Sequence, residues 1–313
     1  MAIRILVTGA SGMVGRHLRK RMPGSLHVVP IFISSKDYDL RDSSQVKEMY
    51  SKYNPDGVIH LAAKVGGIMD NIKDPVSFYE DNILMNTNVL SWAYKHGVKK
   101  FIGVLSTCIY PDKVSDFLYP MRESHLHDGP PTPTNFSYGY AKRCLAVQID
   151  TYNKQYGTKY NYVIPCNLYS ELDHFVGDKA HFVTSLIHKI ALAKINKENS
   201  ITLFGTGQPL RQFMYAGDLA AIIVKTYLSN VYSNFNVCGD ETYSIKEIAK
   251  IALEACNAEE LTINWDTTKP DGQYRKDVSN TKLKEVFPNF KFTSLRDGIK
   301  LVYEKHYNEL ATK

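Results

Sequence analysis

Three glycines spaced three apart, Gly9, Gly12 and Gly15, follow directly on a run of apolar, β-branched residues, Ile3–Thr8. Glycine allows a strand to turn sharply and lets backbone N–H groups approach a phosphate at the start of the next helix. A helical pattern continues to about Met22, so the run has the strand–turn–helix context of a dinucleotide site. Tight turns and close helix packing ask for the same glycines. Ser11, Met13 and Val14 lie between them and are expected to face the cofactor with them.

The rest of the first half alternates in the same way. Apolar runs at Val28–Ile33, 57–61, 101–105 and Tyr160–Pro165 predict strands. Helical patterns start at Ser43, a candidate N-cap, and cover 76–96 and 137–156, closed by Gly97 and Gly157. Continuous apolar strands alternating with helices imply a parallel sheet covered on both faces, with ligands at the strands' carboxyl ends. Beyond Asn167 elements become shorter, with helices near 181–194, 218–228, 244–256 and 294–307. The expected fold is α/β: a Rossmann-type, doubly wound parallel sheet over residues 1–170, to which some later segments return. A smaller mixed α/β substrate lobe occupies 171–313.

Composition narrows the class. Apolar residues make up 44% and charged residues 22%, as in ordinary soluble domains. The net charge of +6 is carried by dispersed lysines, which argues against a nucleic-acid surface and suits an anionic small ligand. Five cysteines without CxxC spacing argue against a disulfide framework or a zinc cage. His125 and His127 lie in a proline-rich loop without a third ligand, so no metal is expected. No signal peptide is recognised, and no apolar run approaches the ~20 residues that cross a bilayer. A cytoplasmic protein without membrane association is expected.

Two further places carry chemistry. The second strand ends in Ser34, Ser35, Lys36 and Asp37. NAD sites usually put a carboxylate there for the ribose 2′-hydroxyl; two hydroxyls and a lysine favour the 2′-phosphate of NADP(H), with Asp37 leaving NAD open. Asp39 and Leu40, just beyond, belong to the same expected cofactor segment. Tyr138 and Lys142 are four residues apart in a predicted helix and so share a face. An ammonium stabilises a nearby phenolate, the requirement for a tyrosine acid–base. Ser106, at the end of the fourth strand, is placed to hold a carbonyl beside it. A surface tyrosine next to a solvated lysine is the plain alternative.

With these residues in place, the chain resembles the extended short-chain dehydrogenase/reductases. Among them it is similar to epimerase–reductases of GDP-linked 4-keto-6-deoxyhexoses. The resemblance spans nearly the whole chain and rests on TGASGMVG, HLAAKVGGI, LSTCIYPDK, SYGYAK, QYGTKYNYVIPCNLY, LFGTGQPLRQF and DTTKPDG. It implies 3,5-epimerisation of GDP-4-keto-6-deoxy-D-mannose by Cys108 and His181. Reduction at C4 by NADPH would then follow, with Ser106, Tyr138 and Lys142 as the reductase residues. It further implies that Leu61, Ala62, Ala63, Leu105, Lys142, Pro165, Asn167, Leu168 and His181 contact the cofactor. Lys189, Phe204, Arg211, Lys269 and Asp271 would contact the nucleotide sugar, and the helices at 76–96 and 137–156 would form a homodimer interface. Ile83, Leu90, Leu145 and Ile149 are candidates for that interface or for the sheet side.

The chain departs from the pattern in two places. The family usually continues Gly-Pro-His-Asp-Asn-Phe where Ser170-Glu171-Leu172-Asp173-His174-Phe175 stands, and Phe204 replaces a common tryptophan. Both bear on which sugar nucleotide is used. Dehydratases of the superfamily carry Asp-Glu after the strand-end threonine, where this chain has Cys108-Ile109. The alternatives are a related nucleotide-sugar 4-ketoreductase or epimerase with a different sugar, and a non-catalytic NADP(H)-binding sensor.

Overall fold

The computed structural model describes residues 2–22, 24–112, 115, 118–177, 180–269 and 271–312. Lys113 and Pro270, parts of two of the motif stretches, lie outside them. In chain order the strands are β1 (Ile3–Thr8), β2 (Val28–Ile33), β3 (Gly57–His60), β4 (Lys100–Val104), β5 (Tyr160–Pro165), β6 (Asn167–Tyr169), β7 (Ser200–Phe204), β8 (Leu210–Arg211), β9 (Phe213–Tyr215), β10 (Phe235–Val237), β11 (Tyr243–Ser244) and β12 (Thr262–Asp266). The α-helices are α1 (Met13–Arg21), α2 (Ser43–Tyr53), α3 (Ile68–Lys73), α4 (Pro75–Lys95), α5 (Phe136–Tyr156), α6 (Phe182–Asn196), α7 (Ala216–Leu228), α8 (Ile245–Ala255), α9 (Thr281–Val286) and α10 (Leu295–Ala311).

Six parallel strands form the main sheet in the order β10-β5-β4-β3-β1-β2. Every residue of β3, β4 and β5 is buried, as a central strand covered on both faces requires. Helices α1 and α7 pack on each other, and α2, α4 and α5 form a second group. The winding reverses between β1 and β3, so a ligand crevice opens at the carboxyl ends of these strands. The late strand β10 pairs with β5 at one edge of the sheet.

Local capping explains the helix limits. Asp42, rather than Ser43, caps α2: its carboxylate accepts from the N–H groups of Ser44 and Gln45, leaving Ser43 as the first helical residue. Gly157 closes α5 in the left-handed region at φ 66°. Ser244 and Glu247 form a capping box on α8. Leu90, Leu145 and Ile149 are at most 1% exposed and belong to the main core. Leu145 and Ile149 face the sheet, because a Cβ built on Gly103 of β4 would stand 3.1 Å from Ile149 and 3.3 Å from Leu145. Of the two places open to them, these three therefore take the core.

A second core gathers Tyr169, Val183, Ile187, Ile190, Ile248, Ile299 and Val302 from β6, α6, α8 and α10. Around it are three two-stranded sheets, β6 with β9, β7 with β12, and β8 with β11.

Candidate active site

The glycine turn is shaped by contact as much as by conformation. Gly9 has φ +70°, and a Cβ there would lie 2.7 Å from the Ala62 nitrogen. A Cβ on Gly15 would come within 2.5 Å of the Gly9 carbonyl oxygen. Gly12 is the N-cap of α1 and offers no side-chain cap, and the first turn holds no acidic residue. The first-turn N–H groups of α1, with Met13 and Val14 half-buried and Ser11 and Gly12 exposed, form an open positive helix end. Leu61, Ala62 and Ala63 after β3, Leu105 after β4, Pro165 at the end of β5, and Asn167 and Leu168 in β6 stand at or just past the neighbouring strand ends. A dinucleotide pyrophosphate fits this helix end without a competing protein anion.

At the tip of β2, Asp37 is drawn back into its own turn. Its carboxylate accepts from the Ser34 N–H at 2.8 Å and the Ser34 hydroxyl at 2.7 Å. Those bonds hold its carboxyl below the usual range. Ser35 and Lys36 remain exposed. Asp39 is paired with Arg41 at 2.7 Å, and Leu40 is buried in the core. A lysine presented beside an already hydrogen-bonded carboxylate fits a 2′-phosphate better than a 2′-hydroxyl.

Ser106 ends the β4 exit as the N-cap of a short 3-10 turn, Thr107–Ile109, and its hydroxyl accepts from the Cys108 N–H. Burial raises the Tyr138 phenol above its ordinary value, the Cys108 sulfur adds to the rise, and the Ser106 hydroxyl opposes it. Ser106, Cys108 and Tyr138 therefore form one interacting cluster. Lys142 is 2% exposed, and burial lowers its ammonium to about 8. It donates to the Val104 carbonyl at 2.9 Å, and its charge also reaches buried His60. The expected lowering of Tyr138 by Lys142 is therefore corrected: Lys142 is not among the groups that shift the phenol, and desolvation sets its direction.

Cys108 differs from an inert core thiol. Its sulfur accepts from the Asn135 side-chain amide at 2.8 Å and from the Lys276 ammonium at 3.0 Å. Burial alone would raise its thiol, but the Lys276 charge, with hydrogen bonds from Ser106, Lys276 and Asn135, brings it below its ordinary value. The Asn135 Oδ1 is buried and has no hydrogen-bond partner among the described residues, an acceptor available to a ligand hydroxyl. Lys276 and Asn135 were not expected from sequence. Asn135 ends a 3-10 turn, Pro133–Asn135, too short to show a period, at the N-cap of α5, and Lys276 joins the site from 168 residues away.

His181 comes from the other core as the N-cap of α6. Its Nδ1 meets Asp173 Oδ2 at 2.9 Å, and this bond raises its imidazolium above the ordinary value despite burial. The altered loop before it is held by Ser170, whose hydroxyl accepts from Leu172 N–H at 2.9 Å. Glu171 accepts from the Tyr215 hydroxyl at 2.9 Å and lies 3.7 Å from Lys20 of α1. Side-chain anchoring thus stands where the family has Gly-Pro.

The expected nucleotide residues form a separate patch. Phe204 is 63% exposed, with Lys189 and Lys269 set 5.3 and 5.9 Å from its ring centre. Lys189 also donates to the Thr202 carbonyl at 2.7 Å. Asp271 accepts from Thr206 through its N–H at 2.6 Å and its hydroxyl at 2.7 Å. The Arg211 guanidinium donates to the carbonyls of Leu210, Gln273 and Tyr274. Burial lowers the Arg211 guanidinium, and the charges of Cys108, Tyr119 and Asp271 all bear on it.

A glycine-turn Rossmann sheet with a Ser–Tyr–Lys set at its carboxyl edge defines a nucleotide-cofactor enzyme of the short-chain dehydrogenase/reductase type. The chain belongs to the NAD dependent epimerase/dehydratase family, whose model matches residues 5–238. Its relatives within that family include the GDP-L-fucose synthase of Dictyostelium discoideum, 40% identical over 95% of this chain and 92% of that protein. The GDP-L-colitose synthase of Yersinia pseudotuberculosis is 32% identical over 98% of this chain and 99% of that protein. The crystal structure of a GDP-L-fucose synthetase from Naegleria fowleri bound to NADP superposes with a TM-score of 0.88. It is 37% identical and covers 99% of this chain and 94% of that one.

Proposed function

We propose that the protein converts GDP-4-keto-6-deoxy-D-mannose to GDP-L-fucose by 3,5-epimerisation and NADPH-dependent reduction at C4. The observation that carries this reading is Cys108: a thiol stabilised as thiolate by Lys276 and Asn135, next to the reductase tyrosine. A simple ketoreductase needs no such base. The C4 carbonyl acidifies the C–H bonds at C3 and C5, so Cys108 takes a proton and His181 returns one from the other side. Ser106 and Tyr138 hold the developing oxyanion. Bound NADPH supplies the hydride for C4. Tyr138 gives the proton to the C4 oxygen, and Lys142 orients the nicotinamide ribose.

Gly9, Ser11, Gly12, Met13, Val14 and Gly15 would hold the cofactor, and Ser34, Ser35 and Lys36 would meet its 2′-phosphate. Phe204 offers its ring face to guanine, while Lys189, Lys269 and Arg211 meet the diphosphate. The division near residue 170 separates cofactor and substrate halves. The protein acts in the cytoplasm, without a membrane or nucleic-acid partner. Exposed Leu84, Tyr94, Val147 and Tyr156, on α4 and α5, supply the homodimer face.

A second reading, the same chemistry on another GDP-linked 4-ketosugar, is favoured by the colitose-synthase relative and by the Ser170–Phe175 loop. An NADPH-oxidation assay with GDP-4-keto-6-deoxy-D-mannose, with product stereochemistry read by NMR, tests the assignment. Absence of NADPH consumption overturns the substrate. Reduction without inversion at C3 and C5 overturns the epimerase.

A further inference from the structure

We propose that Asp173 is a positioning residue for His181, fixing which imidazole nitrogen carries the mobile proton and keeping that proton available to the substrate. This rests on the reading of His181 as an epimerisation acid. Both ends of the pair are anchored. The Asp173 side chain is only 4% exposed, and its Oδ1 accepts from the His174 N–H at 2.8 Å. Its Oδ2 receives His181 Nδ1 at 2.9 Å and the Thr184 hydroxyl at 3.3 Å. The Asp173 N–H donates to the Ser170 carbonyl at 3.2 Å. His181 is fixed as the extended N-cap of α6, its carbonyl accepting from Ser185 N–H and from the Thr184 hydroxyl.

Two consequences follow. A buried carboxylate against Nδ1 keeps that nitrogen protonated, so Nε2, on a side chain still 41% exposed, is the nitrogen that gains and loses the proton. Second, the N-terminal end of α6 is positive and opposes a cation at its cap. Asp173 supplies the counter-charge, and among the described residues it is the charged group that bears on the imidazole. In the transfer, the Nε2–H bond breaks and a C–H bond forms on the enolate carbon. The neutral imidazole left behind still donates Nδ1–H to Asp173.

The test uses the full-length protein with 15N-labelled histidine, the His181 signals being assigned by their loss in a His181→Gln sample. In the wild type, the neutral His181 should carry its proton on Nδ1 and titrate above the ordinary value. A neutral form protonated on Nε2 overturns the proposal without any Asp173 variant having to fold. In Asp173→Asn the amide oxygen still accepts from Nδ1, but the charge is gone. The His181 midpoint should fall by roughly one pH unit or more. The alkaline limb of deuterium uptake at substrate C3 and C5 should fall with it, with substrate KM little changed. An unmoved midpoint overturns the Asp173–His181 coupling. A moved midpoint with an unmoved exchange profile instead overturns the acid role of His181 on which the proposal rests.

Discussion

The ammonium of Lys276 lies 3.0 Å from the sulfur of Cys108, across 168 residues of sequence. The contact favours the thiolate form of a half-buried cysteine. Replacing Lys276 by Met removes the charge that offsets burial, so the Cys108 thiol should move above its ordinary value. Alkylation of Cys108 by iodoacetamide at pH 7, followed by mass spectrometry, should slow by about tenfold or more. An unchanged rate would show that Asn135 and Ser106 suffice.

Tyr138→Phe keeps the ring in its buried place and removes the proton donor. NADPH oxidation should fall by about 10²- to 10⁴-fold, the usual worth of a positioned acid. In the proposed mechanism Tyr138 also holds the oxyanion, so deuterium uptake at C3 and C5 should slow to a smaller extent. Retention of near-wild-type reduction would remove Tyr138 from the chemistry.

Gly15→Ala places a methyl group 2.5 Å from the Gly9 carbonyl oxygen and 2.6 Å from the Ala10 Cα, both backbone atoms that cannot swing aside. The glycine turn must open. NADPH affinity by fluorescence titration should fall by more than about tenfold, a cost of over about 1.4 kcal/mol. Gly97→Ala meets no neighbouring atom and carries only the strain of its φ of +67°. It should therefore lower stability but leave cofactor affinity intact.

Acid stability is set in part by His60. It is fully buried between the Thr8 hydroxyl at 2.8 Å and the Asn86 side-chain oxygen at 3.0 Å, and burial lowers it to about 3. The folded state keeps it neutral while the unfolded chain binds a proton below about 6.5. Its contribution is therefore complete above pH 6.5 and lost as pH falls towards 3, at up to about 1.4 kcal/mol per pH unit. His17, lowered by burial to about 4, adds to the same window. Urea unfolding from pH 7 to pH 4 should show this slope, and His60→Gln should flatten it.

The sheet was readable where the physics is repetitive. Strands β1, β2 and β5 fall at the expected residues because long apolar runs on both faces have no other use. The second half was less readable. Its strands β8 and β11 are two residues long and its strands β6 and β9 three, too short for a period to develop. Helix α3 was missed because its exposed Ile68, Met69 and Ile72 give no inward stripe. At the site, Tyr138 with Lys142 and the glycine turn stood out by spacing, whereas Cys108 and His181 came only through resemblance. The residues that tune them, Lys276, Asn135 and Asp173, act through contacts no local pattern encodes. Asp37 shows the same limit: its identity left NAD open, and only its bonds to Ser34 show where its carboxylate turns.

The most direct test follows the fate of substrate hydrogens in D2O, comparing wild type with Cys108→Ser on GDP-4-keto-6-deoxy-D-mannose and NADPH. The wild type should give GDP-L-fucose with deuterium at C3 and C5. Cys108→Ser should consume NADPH while leaving C3 and C5 protonated and uninverted. Equal deuterium incorporation by the two proteins would contradict a cysteine-based epimerase sharing its site with the reductase.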